Sequence, residues 1–314
     1  MLPFRLPQPQ DRQWVSPLLS AESVPLCDYS FPALYCWREA FQHTICPYEG
    51  RLLTHLISVL GSSYLWPVGQ GDPARAMGAL ARDAWERGQP LRLVCVPPVA
   101  KDWLIQTYPG IFTVTETRDS FDYLYDVEKM ADLSGKKLHG KRNHIHRFDE
   151  LCPDWTFAPI TWADIPACRE LDERWYAQNL ARPNSPGEAS LNRERHALDL
   201  ALTEFDRIGL SGGLIRAGGR VVAFALGSRL TSQIYNIHFE RADATLQGAY
   251  PAIARETARW VRSTQPEVSF LDREDDMGLP GLRKAKLSFF PHHMGENYSA
   301  IGVDGFLPGG AFLD

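Results

Sequence analysis

The sequence has no excess of positive charge, no long apolar run and no closely paired cysteines. A formal net charge of -5 over 314 residues argues against a protein that coats nucleic acid non-specifically, and we expect no DNA partner. The segment 52–70 lacks Asp, Glu, Lys and Arg, but Gly, Ser and Pro interrupt it, whereas a membrane-spanning helix needs about 20 mostly apolar residues. We therefore expect no integral membrane segment.

The six cysteines are scattered along the chain, and none forms a C-x-x-C pair. This pattern is typical of reduced, mostly buried thiols and predicts a cytoplasmic protein. The first ten residues, MLPFRLPQPQ, lack the apolar core of a signal peptide. Three histidines in segment 133–148 point to different sides of a helix rather than sharing one face, so we expect no metal site.

A faint internal repeat organises the chain. In the first half, the strand SSYLWPV leads through GQGDP to the helix ARAMGALARDAWERG and then to the strand QPLRLVCV. In the second half, SQIYNIHFE, RADATLQGAYP, AIARETARWVRS and QPEVSFL follow the same order. Both helices carry apolar residues at helical spacing, and Asp72 is a candidate N-cap for the first. The sequence therefore predicts one strand–helix–strand unit in each half.

A hairpin-like pair of strands precedes each of these units, with turns at Glu49-Gly50 and Gly218-Gly219. Antiparallel strands that lead into a strand–helix–strand unit indicate an α+β fold with mixed, mostly antiparallel sheets flanked by helices. The arrangement resembles two tandem GNAT-like (acyl-coenzyme A N-acyltransferase) domains, which we assign to residues 1–130 and 131–314. The second domain would begin with a linker helix.

The segment LSGKKLHGKRNHIHRF, residues 133–148, concentrates basic side chains in an acidic protein. We expect a helix over residues 134–151, capped by Ser134, with Lys141 inside its apolar stripe and Arg142 at the edge. The stripe contains Leu138, Ile145, Phe148 and Cys152. A lysine aimed at a core needs a carboxylate or an anionic ligand, so Lys141 and Arg142 either form structural ion pairs or bind a ligand.

A second polar cluster, DREDDMGLPGLRKAKLSFFP, follows the strand EVSFL. Its carboxylates include Glu274 and Asp275, and the short helix after them turns Lys286 inward, with Arg283 nearby. Strand ends beside such loops are where α/β folds bind ligands. We therefore expect a site here, the alternative being a solvated acidic loop before a helix.

The strand IYNIHFE places Asn236, His238 and Glu240 on one face and apolar residues on the other. Polar side chains on a central strand are costly unless they meet a ligand, water or polar partners. His238 or Glu240 is therefore a candidate general base for an amine or hydroxyl nucleophile. The alternative for His238 is a half-buried histidine whose hydrogen bonds are satisfied within the protein.

The motifs LSGKKLHGKRNHIHRF, FERAD…GAY and DREDDMGLPGLRKAKLSFFP resemble a bacterial family related to the C-terminal, aminoacyl-transferring part of phosphatidylglycerol lysyltransferase. The resemblance implies tandem N-acyltransferase folds, and relatives that move an amino acid from aminoacyl-tRNA to a lipid or to a peptidoglycan precursor. It puts Lys141, Arg142, Asp275, Arg283 and Lys286 at motif positions without assigning a catalytic residue.

The leading hypothesis is an acyl- or aminoacyltransferase, in which an amine or hydroxyl of a small-molecule or peptide acceptor attacks an activated ester or thioester. Aminoacyl-tRNA and a coenzyme A ester are the donors considered, and no cofactor is assigned. The expected donor-binding residues are Lys141, Arg142, Arg283, Lys286, Gln247 and Gly248. The expected substrate-binding residues are Asn236, Tyr250, Glu274 and Asp275. Alternatives are an acetyl-coenzyme-A-dependent N-acetyltransferase and a non-catalytic protein whose acids and bases pair with each other.

Overall fold

The computed structural model describes residues 1–181 and 187–306. In chain order its helices are α1 (Arg12–Glu22), α2 (Phe31–Cys36), α3 (Pro73–Glu86), α4 (Pro98–Thr107), α5 (Val127–Asp132), α6 (His139–Leu151), α7 (Ile165–Leu180), α8 (Glu188–Thr203), α9 (Ala249–Thr264) and α10 (Pro280–Leu287). Its strands are β1 (Thr44–Tyr48), β2 (Arg51–Ser58), β3 (Gly61–Leu65), β4 (Val68–Gly69), β5 (Arg92–Val96), β6 (Phe112–Glu116), β7 (Asp122–Asp126), β8 (Thr156–Pro159), β9 (Ser211–Ala217), β10 (Arg220–Arg229), β11 (Ile234–Ala242), β12 (Phe270–Asp272), β13 (His293–Gly295) and β14 (Tyr298–Gly302).

The described chain packs as two compact units. The second unit contains residues 123–274 and 281–293, and the first contains the remaining described residues. Segments 275–280 and 294–306 therefore belong to the first unit, although they lie late in the sequence. The domains 1–130 and 131–314 stay a prediction, from which these packing units differ in those two segments and in residues 123–130, which pack with the second unit.

The first unit contains a mixed sheet in the order β1-β2-β3-β5-β14-β6, with β4 beside β2. Strands β3 and β5 are parallel neighbours, and α3 lies between them along the chain, as the repeat predicts. The backbone N–H of Ala74 donates to the Asp72 carboxylate at 2.9 Å, which confirms the predicted N-cap. Glu49 and Gly50 both have positive φ angles, 46° and 79°, as a tight two-residue hairpin turn requires.

In the second unit, the strands form a mixed sheet in the order β7-β12-β11-β10-β9-β8. Gly218 and Gly219, with φ angles of 55° and 76°, form the predicted turn between β9 and β10. Helix α9 connects the parallel strands β11 and β12 and packs on the sheet. Its buried stripe includes Ile253, Ala254, Thr257 and Val261. The helical spacing of these residues in the sequence therefore decides which face of α9 meets the sheet.

The basic helix starts later than the sequence predicts. Ser134 is not its N-cap, because α6 begins at His139, and residues 127–132 form the separate helix α5. Gly135 has a φ angle of 87°, which a right-handed helix cannot contain. The Arg142 guanidinium also donates to the carbonyls of Leu133 and Gly135, which holds the connection in a non-helical conformation. The predicted end at Leu151 is correct.

Within the described residues, the helices are too short or too polar to cross a lipid bilayer. All six cysteines are reduced, as their spacing predicts.

Two glycines on the facing helices α6 and α9 should respond in opposite ways to alanine. Gly140→Ala should raise the free energy of unfolding by about 0.5–1 kcal/mol, because a Cβ there meets no atom within 4 Å and alanine favours the helix. Gly248→Ala should lower it by roughly 2–4 kcal/mol, because Gly248 has a φ of 94° and its Cβ would lie 2.0 Å from the carbonyl oxygen of His144. Chemical denaturation measures both, and equal effects would contradict this packing.

Candidate functional site

The central feature of the second unit is a wedge between its parallel strands. Strands β11 and β12 pair only from Ile234 and Phe270 to Asn236 and Asp272. Beyond that point β12 ends, while β11 continues to Ala242. We call this opening the β11 wedge. The predicted polar face of β11 lies along it, so side chains on that face need partners other than the neighbouring strand.

Glu240 lies in the wedge and forms an ion pair that sequence reasoning missed. The Arg273 guanidinium donates to Glu240 Oε1 at 2.8 Å, and both side chains are largely buried. Glu240 Oε2 is also buried, but it has no hydrogen-bond partner among the described residues. An orphaned carboxylate oxygen in a buried place is costly, and a bound ligand that donates a hydrogen bond would remove that cost.

Lys141 extends from α6 toward the same place. Its ammonium donates to Ser288 Oγ at 2.7 Å and lies 3.9 Å from the centre of the Phe289 ring. Arg273 also lies over that ring, at 4.9 Å. The pKa of Lys141 is lowered to about 8, first because burial disfavours its charged form and then because Arg273 repels it, while Glu240 acts in the opposite direction. The predicted inward lysine thus faces a hydroxyl and an aromatic ring.

His238 is held from both sides. Its Nε2 lies 2.8 Å from Ser228 Oγ on β10, and its Nδ1 lies 3.2 Å from Glu274 Oε1. The amide nitrogen of Asn236 is within 3.2 Å of both His238 Nδ1 and Glu274 Oε1. Both ring nitrogens are therefore used within the protein, which matches the interpretation of a satisfied histidine. Asn236 Oδ1 is buried and has no hydrogen-bond partner among the described residues.

The chain just after β12 is fixed by Lys286. Its ammonium donates to the carbonyls of Arg273 and Glu274, the second at 3.0 Å. Tyr125 on β7 donates to the Lys286 carbonyl at 2.8 Å. Glu274 itself has a φ angle of 57°, a conformation that non-glycine residues adopt at a cost. Lys286 points inward as predicted, and its ammonium binds two backbone carbonyl oxygens.

Tyr250 lies on the first turn of α9, close enough to Glu240 and Arg273 for their charges to interact with it. Its hydroxyl oxygen accepts from Trp175 Nε1 at 2.5 Å. Burial, opposed by the Arg241 charge, raises the pKa of Tyr250. The phenol is thus protonated at neutral pH, and no acceptor for its proton occurs among the described residues.

The remaining predicted donor residues do not converge on one anion. Gln247 accepts from Arg147 at 3.2 Å and lies 3.3 Å from His144. Gly248, the N-cap of α9, lies so close to the α6 backbone that a Cβ there would overlap the carbonyl of His144. Arg142 contacts the carbonyls that precede α6. Arg283 lies on α10, and Asp275 belongs to the first unit. Their expected roles in binding stay predictions.

Two arginines are the functional candidates that sequence reasoning missed. Arg273 directly follows β12. The polar face of β11 could have indicated it, because a buried carboxylate such as Glu240 requires a cation nearby. Arg241, the next residue on β11, is buried and pairs with Asp172 and Glu194 at 2.8 Å each. No short-range pattern connects residues so far apart in the chain.

The lowered pKa of Lys141 predicts a pH-dependent difference between the wild type and Lys141→Met. At pH 7 the variant should melt at the same or a higher temperature, because methionine removes a partly buried charge that has no carboxylate within hydrogen-bonding distance in the described part of the chain. Between about pH 8 and pH 10.5 the unfolded wild type binds more protons than the folded one at this position, so the wild type gains stability and the difference shrinks.

Thermal unfolding from pH 7 to pH 10 measures this difference. The exposed Lys284→Met is the matched control and should give a pH-independent difference from the wild type. A loss of about 3–5 kcal/mol in Lys141→Met at pH 7 would instead indicate a buried ion pair.

Comparison with solved structures identifies close and distant neighbours of this fold. A conserved protein of unknown function from Bacteroides thetaiotaomicron is 32% identical, with a TM-score of 0.87 over 96% of this chain and 100% of that one. The C-terminal domain of a putative lysylphosphatidylglycerol synthetase from Agrobacterium fabrum is 14% identical, with a TM-score of 0.65 over 94% and 92%. The predicted tandem GNAT-like fold is confirmed.

Among curated proteins, an uncharacterized protein of Mycoplasmoides gallisepticum is 27% identical over 184 residues, which are 57% of this chain and 55% of that protein. The aligned region thus spans about half the length of this relative. The family model described as "Phosphatidylglycerol lysyltransferase, C-terminal" matches residues 25–301, which is most of the chain. With the resemblance of its motifs, this match shows that the chain belongs to the phosphatidylglycerol lysyltransferase C-terminal family.

Proposed function

We propose that the protein is an aminoacyltransferase whose reaction takes place in the β11 wedge. The single observation that carries this proposal is the buried Glu240 Oε2, which has no hydrogen-bond partner among the described residues and lies near the Lys141 ammonium. A carboxylate oxygen in that state can accept the proton of an incoming amine or hydroxyl. Membership of a family whose name specifies lysyl transfer supports the aminoacyl group as the cargo.

In the proposed reaction the acceptor N–H or O–H donates to Glu240 Oε2, and the acceptor atom attacks the carbonyl carbon of the donor ester. A bond from carbon to the acceptor atom forms, and the bond from carbon to the ester oxygen breaks. The proton of the acceptor passes to Glu240. Lys141 and Arg273 are the nearby cations that can stabilise the negative charge on the carbonyl oxygen in the transition state.

Tyr250 is the proposed general acid. The departing ester oxygen needs a proton, and the Tyr250 hydroxyl, whose oxygen already accepts a hydrogen bond from Trp175, has its own proton available for a ligand. Its raised pKa keeps that proton in place until the leaving oxygen develops charge. Glu240, protonated in the first step, and Tyr250, deprotonated in the second, return to their starting states by exchange with water.

His238 is a positioning residue in this scheme rather than the base. Because Ser228 and Glu274 use both of its ring nitrogens, it has no free nitrogen for a substrate proton. Its contact with Glu274 holds this left-handed residue, the second after β12, and so supports the position of Arg273, the residue before it. Of the two candidate bases on β11, Glu240 is therefore the one we propose.

An aminoacyl-tRNA ester is the proposed donor, and the cytoplasm the proposed location. The acetyl-coenzyme A alternative has less support, because the family to which the chain belongs is named for lysyl transfer. The proposed acceptor is an amine or hydroxyl compound, with lipid and peptide precursors as the classes to test.

Glu240→Gln should lower the rate of transfer by about 10²–10⁴-fold, because glutamine keeps the shape of the side chain but cannot accept the proton. The assay follows radiolabelled amino acids on a charged total tRNA pool, and measures acceptor-dependent loss of label with phosphatidylglycerol vesicles, peptidoglycan precursor or a polyamine. Glu267→Gln is the matched control, because Glu267 also pairs with an arginine in the second unit but lies outside the wedge.

Transfer by Glu240→Gln at the wild-type rate would refute this assignment of the base. Stabilisation by acetyl-coenzyme A, together with acetyl transfer and no use of aminoacyl-tRNA by the wild type, would replace the proposed function with the N-acetyltransferase alternative.

A further inference from the structure

A basic and aromatic pocket lies next to the β11 wedge in the second unit. Its volume is about 340 Å³, near the small end of the roughly 300–1,000 Å³ range of small-molecule sites. We call it the lysine pocket, after the three lysines that line it: Lys129, Lys136 and Lys137. Phe289 lines the pocket and also contacts Lys141 and Arg273 of the wedge, so a ligand in the pocket lies beside the proposed reaction site.

The three lysines have exposed side chains and no ion-pair partner among the described residues. The one carboxylate that lines the pocket, Asp126, accepts the backbone N–H of Lys129 at the start of α5. The lining therefore carries more positive than negative charge, in a protein whose net charge is -5. A concave surface with this excess attracts an anion of low molecular weight or the charged end of a larger one.

Phe290 gives the pocket its second property. Its side chain is 46% exposed, and its backbone has a φ angle of 55°, in the left-handed region that bulky residues rarely adopt. The fold thus accepts a backbone cost while leaving this ring unburied, a combination found at ligand-binding positions. The ammonium of Lys137 lies 5.3 Å from the ring centre, so the cationic and aromatic surfaces are adjacent.

A ligand that matches this lining combines a phosphate with a flat ring system. A phosphate group can bind the lysines, and a base can stack on Phe290, as in sites for single-stranded nucleic acid. A phospholipid headgroup supplies the phosphate but has no ring to stack. We propose that the lysine pocket binds the 3′-terminal nucleotide of a single-stranded RNA end. The inference rests on the proposed function, since it assigns the pocket to the donor of that reaction.

Fluorescence anisotropy with a fluorescein-labelled single-stranded RNA that ends in CCA tests the proposal on the full chain. Phe290→Leu should weaken binding by about tenfold, because leucine removes the stacking surface but keeps an apolar side chain. Lys136→Gln/Lys137→Gln should weaken binding and reduce the slope of log affinity against log salt by roughly 1.4. Lys284→Gln, an exposed lysine outside the pocket, and Phe41→Leu, an exposed phenylalanine of the first unit, should retain wild-type binding.

The proposal fails if the wild type does not bind this RNA, or if all variants bind it equally. It also fails if the wild type binds phosphatidylglycerol vesicles instead and the double lysine variant loses that binding, which would assign the pocket to a lipid headgroup. Glu240→Gln separates the two proposals, because it should bind the RNA with unchanged affinity while transfer is lost. RNA binding that depends on the pocket, without any aminoacyl transfer by the wild type, would refute the proposed function alone.

Discussion

The ion pair of Glu240 with Arg273 is the interaction on which the site depends. It exists because β11 continues beyond its last pair with β12, so that β11 is paired there only with β10 and its other edge is open. A carboxylate in such a place requires a cation, and the residue that follows β12 supplies it. Buried ion pairs add little net stability compared with apolar packing, since desolvation offsets much of their attraction. A contribution to stability is therefore a weak explanation for this pair. Keeping a charged carboxylate in position for a ligand, as we propose, explains it better.

The pair also determines the state of its neighbour. Burial disfavours the charged form of Lys141, and repulsion by Arg273 adds to this effect, so the pKa of Lys141 is lowered to about 8. With that pKa, roughly a tenth of Lys141 is neutral at pH 7, compared with well under a thousandth for an ordinary lysine. The wedge thus combines a permanent cation, a carboxylate and an amine that can gain or lose a proton under physiological conditions.

The first unit repeats the topology but uses its buried acid differently. Asp83 on α3 accepts hydrogen bonds from Tyr64, Arg87 and the backbone N–H of Leu2, so both of its carboxylate oxygens have partners. Glu240 has an oxygen without a partner among the described residues. The strand–helix–strand repeat therefore determines the framework, and the chemistry depends on a few residues that differ between the copies.

Local patterns in the sequence determined the elements that depend on neighbours along the chain. The stripe of α9, the Asp72 cap, the two hairpin turns and the alternation on β11 all follow from residue spacing, because each is decided within one helical turn or one strand. The start of α6, the partner of Glu240 and the covering of Gly248 required the tertiary structure. Arg142 contacts Leu133 and Gly135 only after the chain has turned, and Arg273 meets Glu240 only when β12 pairs with β11. Such partners are far apart in sequence, and no periodicity identifies which charge meets which.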